Sequence, residues 1–271
     1  MVGSRRILAA FVGFLAWAPG AHAAITAIDN AETSVRLGIT GGYSRYEENI
    51  SPQDTETGGL LGGQVNVSGL TSSVFQSQVF PDLYTDAGYD FAAGFLKYRG
   101  NLEDPQHTPY QASDNAYYNT VVVRLGVGRP MAGGYELIPY VAGGFQNWYR
   151  NVSGAAGYGE YYRAGLIGVG LKLDYAPAPM LVLSASAEGL AVIGGAVDAP
   201  SENFSGSFGT SAEERVGLDA DYRIDNTWHA YAGLGITHYA YAGSQPGGSG
   251  SFEPLSTTLQ VSSMFGVAYG F

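Results

Sequence analysis

Two carboxylates, Asp219 and Asp221, stand two residues apart in RVGLDADYRI (215–224), between Arg215 and Arg223. Neighbouring carboxylates can serve general acid–base catalysis. The same spacing also puts both on one face of a β-strand, whose side chains alternate between faces. Val216, Leu218, Ala220, Tyr222 and Ile224 take the other parity. The strand therefore accounts for every residue of the stretch, whereas a 3.6-residue period mixes the two sets. Other candidates for chemistry are sparse. Of four histidines, His22 lies in an N-terminal leader, His107 in a loop, and His229 and His238 at opposite ends of one strand. No two share a metal-ligand spacing, and H-E-x-x-H is absent. His238 near the outer rim could act as a base beside Ser or Asp; an interfacial polar residue is the plainer reading. With no cysteines, disulfides, thiolate metal sites and cysteine nucleophiles are excluded. No catalytic residue, metal or cofactor is expected, and the chain is not read as an enzyme.

The N-terminus reads as an export signal. Arg5 and Arg6 precede an apolar run from Ile7 to Ala18, Pro19-Gly20 breaks it, and Ala21-His22-Ala23 fits the small-residue cleavage rule. Residues 1–23 are the expected signal peptide and 24–271 the mature domain. The formal net charge of −11 becomes more negative once Arg5 and Arg6 leave, which disfavours nucleic acid as a partner. Gly accounts for 40 residues and Tyr for 20, and only 14% of the chain is charged. No later stretch is long and apolar enough for a spanning helix.

Instead, short segments of two-fold alternation recur. The C-terminal one has Leu259, Val261, Phe265, Val267, Tyr269 and Phe271 on one parity. With 215–224, and with segments near 34–46, 60–70, 83–98, 116–128, 137–150, 161–174, 181–193 and 228–241, this predicts ten strands. Eight and twelve are the neighbouring even counts. The second strand is the weakest, because LTSSVFQSQVFPD after it could prolong it, form a turn or hide another strand. In the third, the phase after Ala92 is open. Connections after odd-numbered strands are mostly long and rich in Gly, Ser, Pro and acids, and those after strands four, six and eight are short; the connection after strand two is the exception. Tyr and Trp gather at both strand ends, as at the two interfaces of a bilayer. Long loops on one side, short turns on the other and an even strand count predict an all-β fold: a transmembrane, antiparallel, up-and-down β-barrel. A soluble β-sandwich is the rival.

The ending FGVAYGF (265–271), with Phe265, Val267, Tyr269 and Phe271 at alternate positions, resembles that of small outer-membrane β-barrel proteins of Gram-negative bacteria. The stretch LIPYVAGGFQNWYRNV (137–152) is similar to a mid-barrel strand of the same class. The resemblance implies location in the outer membrane and recognition of those four residues by the barrel-assembly machinery. It implies no substrate.

If the apolar faces meet lipid, the opposite faces bring Arg36, Arg124, Arg150, Lys172, Arg215 and Arg223 together with Asp86, Asp90, Asp174, Glu188, Asp219 and Asp221 in one interior. A ten-stranded barrel is narrow and unpaired buried charge is costly, so ion pairing is expected. It would leave a structural barrel or a narrow, charge-lined channel for small solutes. The loop acids Glu47, Glu48, Asp54, Glu56, Glu103, Asp104, Asp198, Glu202 and Glu253 read as solubilising groups. The alternatives are cation bridging to lipopolysaccharide or binding of an outside partner, so that a surface interaction protein is the second reading and a barrel-embedded hydrolase the third. Membrane lipid and lipopolysaccharide are the expected surroundings, and a monomer the expected state.

Overall fold

A computed structural model describes residues 21–72, 74–102, 106–245 and 252–271. Most of the expected signal peptide lies outside these residues. The chain enters through a helix, α1 (Ala21–Glu32), and continues as β1 (Ser34–Glu48), β2 (Thr55–Thr71), β3 (Asp82–Asn101), β4 (Pro109–Met131), β5 (Tyr135–Asn151) and β6 (Gly159–Ala178). β7 (Leu181–Ala199), β8 (Phe204–Ser207), β9 (Ser211–Arg223), β10 (Trp228–Tyr241) and β11 (Ser256–Gly270) complete it. Each long strand pairs antiparallel with its neighbours, and β11 returns to β1 from Ser34↔Gly270 to Glu48↔Ser256. β8 pairs only with the end of β7, while β7 also pairs with β9. Ten strands thus close the barrel, and β8 is an added rim piece. Among the described residues no helix is long and apolar enough to cross a membrane.

All ten expected strands are present, and all but the one at 228–241 are longer than expected. β2 begins at Thr55 rather than near residue 60, and residues 74–81 belong to the connection to β3. The phase of β3 runs unbroken past Ala92, with Phe95 outward and 76% exposed and Leu96 inward and buried. β3 has 20 residues, β4 has 23 and β6 has 20. The loops read from the sequence are correspondingly shorter, because the ladder extends into polar segments whose backbone groups still find partners. Outward positions of the middle strands are apolar and exposed: Leu37, Ile39, Val123, Leu125, Val169, Leu171, Leu218, Leu234 and Val267.

The helix is a correction. The sequence was expected to pass from the signal directly into strands, but α1 straddles the expected cleavage point. Ala24, Ala27, Ile28 and Ala31 are buried and repeat at helical spacing. The pattern is short and adjoins the leader, which masked it. α1 fills the mouth at the short-turn end of the barrel. There the β4–β5 turn carries Gly133 and Gly134 at φ +83 and +81, a conformation side chains disfavour. A Cβ on Gly134 would also come within 3.0 Å of Ala24.

The outward band gives a first prediction. Val169→Arg, facing out opposite Val141, should cost about 2–4 kcal/mol in reversible unfolding from lipid vesicles. A cost near zero would argue against a lipid-facing wall. The native protein in mild detergent should migrate differently on a gel before and after boiling.

Candidate functional site

The inward faces carry the polar groups, stacked in three layers along the barrel. At the turn end, Glu32 of α1 forms ion pairs with Arg36 (3.5 Å) and Lys172. Arg36 also donates to the Ala31 carbonyl (2.9 Å) and lies 3.6 Å from Asp221. His229, which is buried, places Nδ1 2.6 Å from Asp221 Oδ1. Lys172 is 3.7 Å from Asp174, which accepts a hydrogen bond from Ser184 (2.6 Å). Glu136 and Asp82 lie side by side around Gly128 in the same layer.

The middle layer is a chamber of about 320 Å³. Arg124 spans it, donating from Nε to Glu188 (2.6 Å) and from Nη1 to Asp86 (2.7 Å). Asn66 donates to the other Asp86 oxygen. Arg215 donates to Glu213 (2.5 Å) and lies 3.7 Å from Glu188. Asp90 and Asp219 line the chamber without an ion pair among the described residues.

The third layer is a collar inside the loop end, centred on fully buried Arg150. Its guanidinium pairs with Glu56, Glu160 (2.9 Å) and Glu48 (3.3 Å), and sits over the rings of Tyr46, Tyr98 and Tyr158. The Tyr162 hydroxyl lies 2.6 Å from Glu253 and 2.9 Å from Glu160. Burial first, then Glu160 and Glu48, push the loop residue Glu253 well above the usual carboxylate range. Beneath this cluster Trp148 stacks between Tyr118 and Tyr162, with ring centroids 5.5 and 4.7 Å away. Tyr241 and Phe208 continue the stack.

Eight of the twelve charged residues read as lumen-facing line the chamber: Arg36, Asp86, Asp90, Arg124, Lys172, Glu188, Arg215 and Asp219. Asp174 and Asp221 are buried in the turn-end layer and Arg150 in the collar. Arg223 is half-buried at the end of β9, opposite His229 in the ladder. Asp219 and Asp221 are not a dyad; each belongs to a different layer.

The sequence reading missed inward acids that lie beyond its strand limits: Glu32, Asp82, Glu136, Glu160 and Glu213. Parity was the available signal, since Glu213 extends the face of Arg215 and Glu160 that of Lys172. The solubilising role given to the loop acids is corrected for four of them. Glu48, Asp54, Glu56 and Glu253 are buried in the collar. Glu47 pairs outward with Arg45, Asp198 with Arg163, and Glu202 is exposed. Glu103 and Asp104 lie outside the described residues. His238 faces outward, 2.9 Å from Glu214 on the outer wall, away from the chamber. Phe265, Val267, Tyr269 and Phe271 are all exposed, the first three on the outer face of β11.

No family model matches the chain, and no curated protein does. Among solved structures it is similar to the outer membrane protease OmpT from Escherichia coli, with a TM-score of 0.57 at 11% identity over 88% of this chain and 95% of that one. It is also similar to the transport unit of the autotransporter AIDA-I from Escherichia coli, with a TM-score of 0.50 at 13% identity over 93% and 98%. The fold is that of outer-membrane β-barrels. At these identities the likeness extends to the fold alone.

Removing Arg124 would strand two buried carboxylates, so Arg124→Leu should cost roughly 3 kcal/mol in unfolding. Adding Asp86→Asn and Glu188→Gln should restore most of the loss; a triple variant no more stable than the single one would contradict the pairing. Arg150→Gln should cost about 3–5 kcal/mol and act locally, with limited proteolysis cutting at the loop end while the barrel core stays resistant.

Proposed function

We propose that this chain is an integral outer-membrane barrel of a Gram-negative bacterium, exported by its N-terminal signal, whose lumen is closed. It would act as a structural barrel rather than an open channel. The observation that carries this reading is the interruption of the polar interior at both ends. α1 with its ion pairs fills the turn-end mouth, and Arg150, Trp148, Tyr46 and Tyr162, each no more than 2% exposed, fill the loop end. Between them lies the middle chamber, where Arg124 and Arg215 are paired with acids and Asp90 and Asp219 stand beside them.

The membrane setting is supported by the apolar outward band and by tyrosine ladders near its two edges. Tyr117, Tyr149 and Tyr161 form one, and Tyr135 and Tyr175 the other. Such residues favour the headgroup level. Arg45, Lys97 and Arg99 point outward beyond the band at the loop end, where lipopolysaccharide phosphates would suit them. Assembly would use the C-terminal aromatic pattern, and the barrel would be monomeric.

The second reading, a surface interaction protein, is favoured by strand length. A tilted strand crosses a bilayer with about 9–11 residues, so roughly half of β4 would stand clear of the membrane and hold the loops on a stiff, filled stalk. The hydrolase reading gains little, since the His238–Glu214 pair lies on the outer wall and overlooks no cleft.

Planar-bilayer recording decides between a closed and an open barrel. The purified protein at neutral pH should give no regular single-channel steps. Stable, ohmic steps at low voltage would overturn the closed-lumen reading and restore the channel.

A further inference from the structure

We propose that Glu253 is held as a neutral carboxylic acid whose proton clasps the segment 252–255 onto the loop-end collar, and that the segment lifts when the proton leaves. The inference goes beyond the closed-lumen reading. The strand rim and the aromatic stack that fill the loop end stay in place in either state.

The backbone brings Glu253 to the collar. Gly243 has φ +74, and a Cβ there would come within 2.9 Å of the Glu253 carbonyl oxygen. The close turn lets the Ser244 N–H donate to that oxygen (2.8 Å), while the Glu253 N–H donates to Ser244 Oγ (2.8 Å). On the far side the Asn49 N–H donates to the Leu255 carbonyl (2.7 Å). Phe252 and Leu255 are exposed, but Glu253 is buried and its carboxyl reaches Tyr46 of β1 and Tyr162 of β6.

A count of protons then identifies the acid. The Tyr162 hydroxyl lies 2.6 Å from Glu253 Oε1 and 2.9 Å from Glu160 Oε2. A phenol has one proton to donate, and an ionised carboxylate has none. Tyr162 can donate to only one of these neighbours, so the other must carry a proton and donate to the phenol oxygen. Arg150 Nη1 is 2.9 Å from Glu160 Oε2 and 3.3 Å from Glu48 Oε1, which keeps those two groups ionised. Glu253 forms no ion pair among the described residues. The chain therefore runs from the Glu253 acid to Tyr162, from Tyr162 to Glu160, and ends at Arg150. Tyr46, 3.1 Å from Glu48 and 3.5 Å from Glu253, has the same single proton for two carboxyl groups.

The other groups of the collar offer Glu253 no replacement cation. Glu56 of β2 pairs with Arg150, Asp54 accepts from Tyr98 of β3, and Tyr158 lies against the Arg150 guanidinium. Burial, then Glu160 and Glu48, hold the Glu253 carboxyl above its ordinary range, against the opposing pull of Tyr162 and Arg150. An ionised Glu253 would join three carboxylates that already share one guanidinium, where like-charge repulsion is strong. Docking keeps a proton that the lifted segment would release. The clasp is at full strength below the ordinary carboxylate range, weakens above it, and is lost as pH rises through the raised value.

Hydrogen exchange on the folded protein in detergent tests the clasp. The amides of Asn49, Ser244 and Glu253 report on the segment, and that of Val123 in the wall serves as reference. Protection relative to the reference, corrected for intrinsic exchange, should fall roughly tenfold between about pH 6 and about pH 9. Glu253→Gln supplies an amide that donates to Tyr162 at every pH, so the fall should vanish. Independently, Glu160→Gln removes the rival carboxylate, lets Tyr162 donate to an ionised Glu253, and should shrink the fall. The infrared difference between parent and Glu253→Gln at neutral pH should contain the C=O band of a protonated carboxylic acid. That band, with a fall confined to the parent, supports the clasp. Absence of the band, a flat profile in the parent, or an undiminished fall in both variants overturns it. So does an equal loss of protection at Val123, since global opening would then account for the change.

Discussion

Everything else in the molecule depends on the pairing of β1 with β11. Without it the sheet would present two edges of unpaired N–H and C=O groups, which hydrocarbon cannot satisfy. With it, every long strand has two neighbours, and side chains can only point in or out. Two-fold alternation then becomes a sorting rule. Val35, Leu37 and Ile39 go to the wall while Arg36 and Thr40 go to the lumen, and no local choice can change one without the other.

The sorting transfers the difficulty to the interior. Inward charges have little water, which favours pairing. Arg124 meets that need with Asp86 and Glu188, and Lys172 with Glu32 and Asp174. The carboxyl groups nevertheless outnumber the cations at both ends. Glu48, Glu56 and Glu160 surround Arg150. Asp82 and Glu136 lie side by side at the opposite end. Tyrosine hydroxyls do part of the work that further cations would otherwise do, Tyr46 on Glu48, Tyr98 on Asp54 and Tyr162 on Glu160 and Glu253.

Strand number, strand parity and the lumen face were legible because each rests on alternation, a purely local signal. Arg124 with Glu188 and Asp86 came through for that reason. The limits of the strands were not legible. Polar composition beyond the bilayer looks like loop, although ladder hydrogen bonds continue there, and so Glu48 and Glu56 were read as solubilising groups. α1 was hidden by its position against the leader. Which carboxylate would face which cation was also beyond the sequence, because it depends on register around a closed ring. Asp219 and Asp221 share a face, yet one lines the chamber and the other joins His229 and Arg36.

The filled interior constrains where activity can reside. An axial path needs a continuous polar conduit, but here the conduit is broken by a helix below and by the Tyr118–Trp148–Tyr162 stack above. The stack is built from strand residues in register, Tyr118↔Trp148↔Tyr162, so opening it would require breaking ladder geometry that also holds the wall. α1 has no ladder tie; it is held by side-chain packing, the ion pairs of Glu32 and hydrogen bonds such as Arg36 to the Ala31 carbonyl and Ser72 to Asp29. The two closures therefore differ in kind: the upper one is part of the barrel, and the lower one is a separate element resting in it. Any conformational freedom of the lumen belongs to the turn end, and any constant surface for recognition belongs to the rim at the other.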